Sequence, residues 1–164
     1  LYDKLMSVGK KYNISNFGAY AVNSLRLEKA YKGWGSELTG EISLVEAGME
    51  RFYNINKKDQ FIGSDALKEK ISQGIEIKIV YLEVNTEDAD PFGNEPVYYN
   101  NKIVGVVTSG GYGFRVKKSL AFAYVEAKLA QNVKEFQIKI QGEYRRARVL
   151  ERMAYDPNNS RLTS

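Results

Sequence analysis

From residue 75 to residue 150 the apolar side chains recur at every second position between turn formers, a period that β-strands satisfy and helices do not. Ile75, Ile77 and Ile79 alternate with Glu76, Lys78 and Val80, and the phase then slips to Leu82 and Val84, which predicts a bulge or bend. Tyr98-Tyr99-Asn100-Asn101-Lys102-Ile103 predicts a hairpin, because Asn tolerates the positive φ that a tight turn needs. Residues 104–108, 120–125, 136–140 and 144–150 supply further strands, and Gln141-Gly142-Glu143 turns the last pair. Six short strands in roughly 75 residues predict a small closed antiparallel barrel.

The residues before this stretch follow no single period. Tyr2, Leu5, Met6 and Tyr12 lie at helical spacing and predict an amphipathic helix over 1–13, followed by a connector over 16–21. Residues 24–30 alternate Leu25 and Leu27 with Arg26 and Glu28, which predicts a strand with one polar face. Ser43-Leu44-Val45-Glu46 fits a capping box, in which Ser and Glu satisfy helix-start amides reciprocally, and Gly48 keeps that helix short. Residues 51–55 again read as a strand. Ser64 is placed to cap a helix carrying Leu67 and Ile71 on one face, with Gly74 at its left-handed end. The change of pattern at 74–75 predicts three units: a mixed α+β portion at 1–74, the barrel at 75–155, and a loose polar tail at 156–164. The chain opens inside an amphipathic pattern without an initiator Met and reads as a piece of something longer.

The sequence contains no histidine and no cysteine. This excludes a Ser-His-Asp triad, imidazole and thiolate metal sites and disulfides, and leaves carboxylates, Tyr and Lys for any acid–base work. The net charge of +4 comes from scattered lysines without the like-charge run of a nucleic-acid arm, so it reads as a solvated surface or as the setting of an anion site. No apolar run approaches the roughly 18 residues of a membrane-spanning helix.

Several stretches carry chemistry without fixing it. Residues 108–115 are dense in glycine yet match neither a phosphate loop nor a dinucleotide fingerprint, which leaves a substrate-rim loop carrying Tyr112 or a plain interstrand loop. Glu87, Asp88 and Asp90 lack the spaced ladder of a calcium loop and read as solvated. Trp34, the single tryptophan, stands between Gly33 and Gly35 as a packing anchor or as an aromatic wall for a ring. Arg51 suits an exposed strand, a carboxylate partner or stacking on a planar ring. Glu46 is explained by capping, or by accepting hydrogen bonds from an aminopyrimidine edge.

Taken in order, Ser24-Leu25-Arg26-Leu27-Glu28-Lys29, Trp34-Gly35-Ser36-Glu37, Glu46-Ala47-Gly48-Met49, Phe61-Ile62-Gly63 with Ala66-Leu67, Asp88-Ala89-Asp90-Pro91, Gly93-Asn94-Glu95-Pro96, Val106-Val107-Thr108-Ser109-Gly110 and Lys118-Ser119-Leu120-Ala121-Phe122-Ala123-Tyr124-Val125 resemble the C-terminal half of the aminomethyltransferase (glycine cleavage T protein) family. Within it they most resemble the folate-binding portion of dimethylglycine and sarcosine dehydrogenases. The resemblance implies an α+β folate-binding domain completed by the upstream half of the same protein and followed by a barrel. It implies tetrahydrofolate as cofactor, FAD only in a region upstream, and a small methylated amine as donor of a methylene group that leaves on the folate. It implies no nucleic-acid partner and no membrane, with a cytoplasmic place in a bacterium or the mitochondrial matrix in a eukaryote. Trp34, Glu46, Arg51 and Tyr112 are the folate-binding candidates. The family's key carboxylate belongs to the preceding half of the domain, so no catalytic residue is carried over. Two departures stand out: Val22-Asn23 where the family has an Arg-Asp pair, and Arg51 where it commonly has an aromatic residue. A glycine cleavage T protein, a non-catalytic scaffold module and use of a sulfonium methyl donor are the rival readings.

Overall fold

The computed structural model describes residues 1–57 and 61–163. Six antiparallel strands, β1 (Ile77–Val84), β2 (Pro96–Tyr99), β3 (Lys102–Gly113), β4 (Lys118–Glu126), β5 (Glu135–Ile140) and β6 (Glu143–Val149), close into a barrel in the order β1-β4-β3-β2-β5-β6. The two tight turns form as their residues require. Asn100 and Asn101 adopt φ of 50° and 60°, and Gln141 and Gly142 adopt 48° and 89°. Inward-facing Val80, Leu82, Val84, Val97, Val107, Ala123, Phe136, Ile138 and Ala147 fill the barrel.

The phase slip in β1 has a different cause from a bulge. Its pairing with β4 runs without a register shift from Ile77↔Glu126 to Val84↔Ser119. Val80, Leu82 and Val84 point inward, while Tyr81 and Ile79 on the outer face join a second apolar cluster with Leu27, Leu120 and Phe122. The strand is therefore covered on both faces over its middle, and alternation of apolar with polar residues is lost there. β4 shows the same condition: residues 119–125 are buried on both faces, with small Ala121 and Ala123 turned inward and Leu120, Phe122 and Tyr124 outward.

The element that covers this outer face is helix α2 (Ala19–Glu28). The strand expected over 24–30 is thus corrected to a helix. Its buried stripe is Ser24, Leu27 and Glu28, an i, i+3, i+4 set that is mostly polar. Leu25, half of the apparent alternation, is exposed. The strand expected over 51–55 is also absent: Glu50–Phe52 form one 3₁₀ turn, and a second turn follows in which Lys57 N donates to Asn54 O at 3.1 Å. Helix α1 (Tyr2–Gly9) forms as expected and buries none of its residues. Helix α3 (Ser64–Gln73) starts after Gly63 at φ 86°, so Ser64 is its buried first residue and not its cap, and Gly74 ends it at φ 86°. A short helix α4 (Ala127–Asn132) joins β4 to β5.

The segment after β6 is tied down, contrary to the loose tail expected. Leu150 N donates to Tyr81 O at 2.8 Å and Tyr155 N to Glu28 O at 2.9 Å. Lys29 Nζ donates to Asp156 O and to Asn159 Oδ1, and Asp156 Oδ1 accepts from Ser160 N and Ser160 Oγ. The strand end thereby becomes a strap across the C-terminus of α2. Ser164 lies outside the described residues.

Candidate functional site

The Ser24-Leu25-Arg26-Leu27-Glu28-Lys29 motif works as a clamp between α2 and the barrel. Ser24 Oγ donates to Tyr112 O at 2.9 Å and accepts from Phe114 N at 3.3 Å. Glu28, buried at 2 % exposure, accepts from Arg115 N at 2.6 Å and Val116 N at 3.3 Å. Asn23 Nδ2 donates to Gly110 O at 3.2 Å, and Tyr81 OH to Leu27 O at 2.8 Å. Leu27, at 0 % exposure, contributes about 1.5–3 kcal/mol of burial. The loop expected over 108–115 is correspondingly the second half of strand β3 as far as Gly113, and only the residues after it turn. Its glycines admit close neighbours: a Cβ on Gly110 would lie 2.4 Å from Pro91 O.

Glu37 is the hub of this clamp, although the sequence carried it only inside the Trp34-Gly35-Ser36-Glu37 motif and assigned it no role. The register of β3 on β4 shifts between Val107 and Ser109. The bulge brings two successive side chains to the same carboxylate oxygen. Thr108 Oγ1 and Ser109 Oγ donate to Glu37 Oε1 at 2.7 and 2.5 Å. Glu37 Oε2 accepts from Gly33 N at 2.7 Å, Arg26 Nη1 at 3.0 Å and Ser36 Oγ at 3.1 Å. Burial pushes this carboxyl up, but the bonds from Ser109, Gly33 and Thr108 and the Arg26 charge outweigh it and hold the group below the usual carboxylate range. With Gly35 N bonded to Leu38 O at 2.8 Å, the 33–38 loop is fixed while Trp34 stands 82 % exposed.

Glu46 has its expected capping partner. Ser43 N and Ser43 Oγ donate to Glu46 Oε2 at 2.9 and 2.6 Å, and Glu46 N donates back to Ser43 Oγ at 3.3 Å. The box closes a single hydrogen-bonded turn, in place of the short helix expected, and Gly48 ends it at φ 62°. Lys70 Nζ lies 3.1 Å from Glu46 Oε1. Burial raises this carboxyl too, and Ser43 and Lys70 bring it below its ordinary range. Both oxygens are engaged. The adjoining cavity of about 420 Å³ is walled by Ile42, Leu44, Phe61, Ile62 and Leu67.

A cavity of about 630 Å³ lies between the Met49–Phe52 turn and the C-terminal strap. Tyr31, Leu38, Met49, Phe52 and Met153 give it apolar walls, and Lys29, Lys32, Arg51, Arg152 and Glu151 are its charged lining residues. Arg51 stacks on Phe52 with its guanidinium carbon 4.6 Å from the ring centroid. Lys32 Nζ sits 5.7 Å from the Phe122 centroid. Its burial and then the Arg51 charge push its ammonium below the ordinary lysine value. The four candidates from the sequence are not gathered in one cavity. Arg51 lines this one, Glu46 the second, Tyr112 a third of about 370 Å³ beside Glu83, Lys118 and Arg148, and Trp34 points to solvent. Sequence reasoning missed Lys32 and Arg152, and quoted Lys29 only inside the Ser24-Leu25-Arg26-Leu27-Glu28-Lys29 motif. Their only advance signal was two lysines three apart at a helix end. No cluster suited to a metal ion occurs among the described residues.

Residues 1–57 match the GCVT N-terminal domain, and residues 78–156 match the glycine cleavage T-protein C-terminal barrel domain. The chain belongs to the glycine cleavage T-protein (aminomethyltransferase) family. It is 41 % identical over 164 residues to the mitochondrial dimethylglycine dehydrogenase of Mus musculus, covering 99 % of this chain and 19 % of that protein. An aminomethyltransferase of Thermoanaerobacter sp. (strain X514) is 34 % identical over 158 residues, covering 96 % of this chain and 42 % of its own. The crystal structure of glycine cleavage system aminomethyltransferase T from Bartonella henselae superposes with a TM-score of 0.75 at 25 % identity, over 84 % of this chain and 38 % of that one. The chain thus spans about a fifth of the dehydrogenase it resembles and under half of the aminomethyltransferases. In family terms, the described residues hold the helix that clamps the first domain to the barrel, and the barrel itself.

Proposed function

We propose that this chain contributes one wall of the binding site in a tetrahydrofolate-dependent aminomethyltransferase, whose one-carbon unit comes from a methylated glycine such as dimethylglycine or sarcosine. The observation that carries the reading is the 630 Å³ cavity, in which an arginine stacked on an aromatic ring stands among further cations and apolar walls. A folate combines flat rings with carboxylates. Such a ligand needs an apolar slot and a few placed charges, and this cavity offers both. Tetrahydrofolate, when bound, takes up the one-carbon unit. The residues here bind and orient: Tyr31, Phe52 and Met49 supply surface, and Arg51 supplies a planar cation able to pair with a carboxylate in two places or to stack. The Glu37 and Glu28 bonds hold the two sides of the cavity in register, because the 33–38 loop and the strap both hang on them. Trp34, fixed and exposed, is placed to meet the remainder of the pocket in the full-length protein.

The test is calorimetric binding of tetrahydrofolate to the full-length protein and to its Arg51→Ala variant. The reading expects affinity to fall about tenfold, the loss of one charge-assisted contact. An unchanged affinity removes Arg51 from the site.

A further inference from the structure

The cavity of about 370 Å³ beside Tyr112 is lined by the end of β1, the β3–β4 hairpin and residues of β5 and β6. Its lining holds four cations, Lys117, Lys118, Arg146 and Arg148, against two carboxylates, Glu83 and Glu135. Glu83 Oε2 accepts from Lys118 Nζ at 2.7 Å and from Arg148 Nη2 at 2.9 Å. Burial pushes this carboxyl up, but its bonds to Lys118 and Arg148 outweigh that and hold it below the usual carboxylate range. Glu135 stands in register with Arg148 on the β5–β6 ladder. Asp88, bonded to the lining residue Thr86, is held by Arg145 at 3.0 Å. With Glu83 and Glu135 counted in full, two positive charges remain in the lining. Among the described residues, no ion pair involves Lys117 or Arg146.

The same cavity holds a donor with nothing to bind. Ser119 lines it from the start of β4, in register with Val84 on one side and Tyr112 on the other. The residue is 4 % exposed, and its Oγ is one of two buried side-chain polar atoms among the described residues that lack a hydrogen-bond partner. A hydroxyl left unpaired in a protein interior costs stability that the alanines further along the inward row of β4, Ala121 and Ala123, avoid. Cations and a hydroxyl around one space supply donors from several directions. That suits the several oxygens of a phosphate better than the flat pair of a carboxylate. We infer that this cavity binds a phosphate group, free or as a phosphomonoester, with Lys117 and Arg146 balancing its charge and the Ser119 hydroxyl donating to one of its oxygens. None of these residues lines the cavity proposed above for folate.

Titration calorimetry of the full-length protein with inorganic phosphate, glycerol phosphate and acetate tests this. At least one of the two phosphates is expected to bind about tenfold more tightly than acetate, less so as salt is added, and the tighter of the two identifies the free or the esterified form as the ligand. Lys117→Asn combined with Arg146→Gln removes both unpaired charges, leaves the Glu83 pairs in place and is expected to weaken phosphate binding about tenfold. Ser119→Ala is expected to weaken it about fivefold, while the ligand-free variant melts no lower than the unsubstituted protein, because no bond within the fold is lost. Failure of both phosphates to bind, or binding no tighter than that of acetate, overturns the inference. So does a phosphate affinity unmoved by the double substitution or by Ser119→Ala, and so does a lower melting temperature of ligand-free Ser119→Ala. Displacement of bound phosphate by tetrahydrofolate overturns it too, since these cations would then belong to the folate site.

Discussion

Replacing Glu37 by alanine is the perturbation whose cost follows most directly from the structure. Five donors converge on this fully buried carboxylate: the hydroxyls of Thr108, Ser109 and Ser36, the Gly33 N–H and the Arg26 guanidinium. The hydroxyls can rotate toward other acceptors, as Thr108 Oγ1 already does toward Phe122 O at 3.3 Å. The Gly33 N–H cannot turn, and Arg26 is left with only Asn23 and a carbonyl. Breaking a buried charged network by removing one partner costs about 3–5 kcal/mol, so Glu37→Ala is expected to lose about 4 kcal/mol. Glu37→Gln keeps the shape and one acceptor oxygen and is expected to lose about 1–2 kcal/mol, the charge assistance alone. Against a total of about 5–15 kcal/mol, the alanine variant is close to the limit of folding. The assay is urea unfolding followed by far-UV circular dichroism, since the single Trp34 is already exposed and reports poorly on unfolding. At a slope of about 2 kcal/mol/M, the alanine midpoint falls by about 2 M with the slope unchanged. A loss below about 1 kcal/mol for Glu37→Ala would refute the view of Glu37 as the hub of the clamp.

Further outcomes follow from the same structure. Glu37 and Glu46 are held below the ordinary glutamate value of 4.5, so their stabilisation is present above that pH and is lost as pH falls through their lower folded values. The urea midpoint therefore drops on acidification below 4.5, and less steeply in Glu37→Gln; an equal slope in both contradicts the assignment. Gly110→Ala is expected to lose several kcal/mol, because its Cβ meets Pro91 O at 2.4 Å, whereas Gly40→Ala, with open space around it, stays within about 0.5 kcal/mol. Thermal unfolding of the pair decides this, and comparable midpoints sink the steric account of the β3 glycines. Trp34 in this chain is expected to be quenched by acrylamide nearly as freely as in the unfolded state, and a shielded Trp34 is inconsistent with the loop as described.

The barrel was legible in the sequence because its signals are local: alternation within strands, and Asn100-Asn101 and Gln141-Gly142 between them. Helix α2 was not, and the reason lies in what it buries. Ser24 and Glu28 face the barrel to accept and donate hydrogen bonds at the β3 edge, so the buried stripe is polar and a hydrophobic pattern cannot reveal it. The chance alternation of Leu25 and Leu27 then pointed to a strand. The glycines of 110–113 were read as a loop because the close approach of α2 side chains and of the Pro91 backbone cannot be seen without the fold. The capping box at Ser43 and Glu46 was legible, being an i, i+3 device. The cavity was not. Lys32, Arg51 and Arg152 are distant in sequence, and they converge only because the strap after β6 returns to α2.

The most direct test is a crystal structure of the full-length protein with a reduced folate bound. The expected result is the folate between the Met49–Phe52 turn and the strap, with the Arg51 guanidinium within about 4 Å of it. A ligand bound instead against Ile62 and Glu46, or one that leaves the 630 Å³ cavity to solvent, would contradict it.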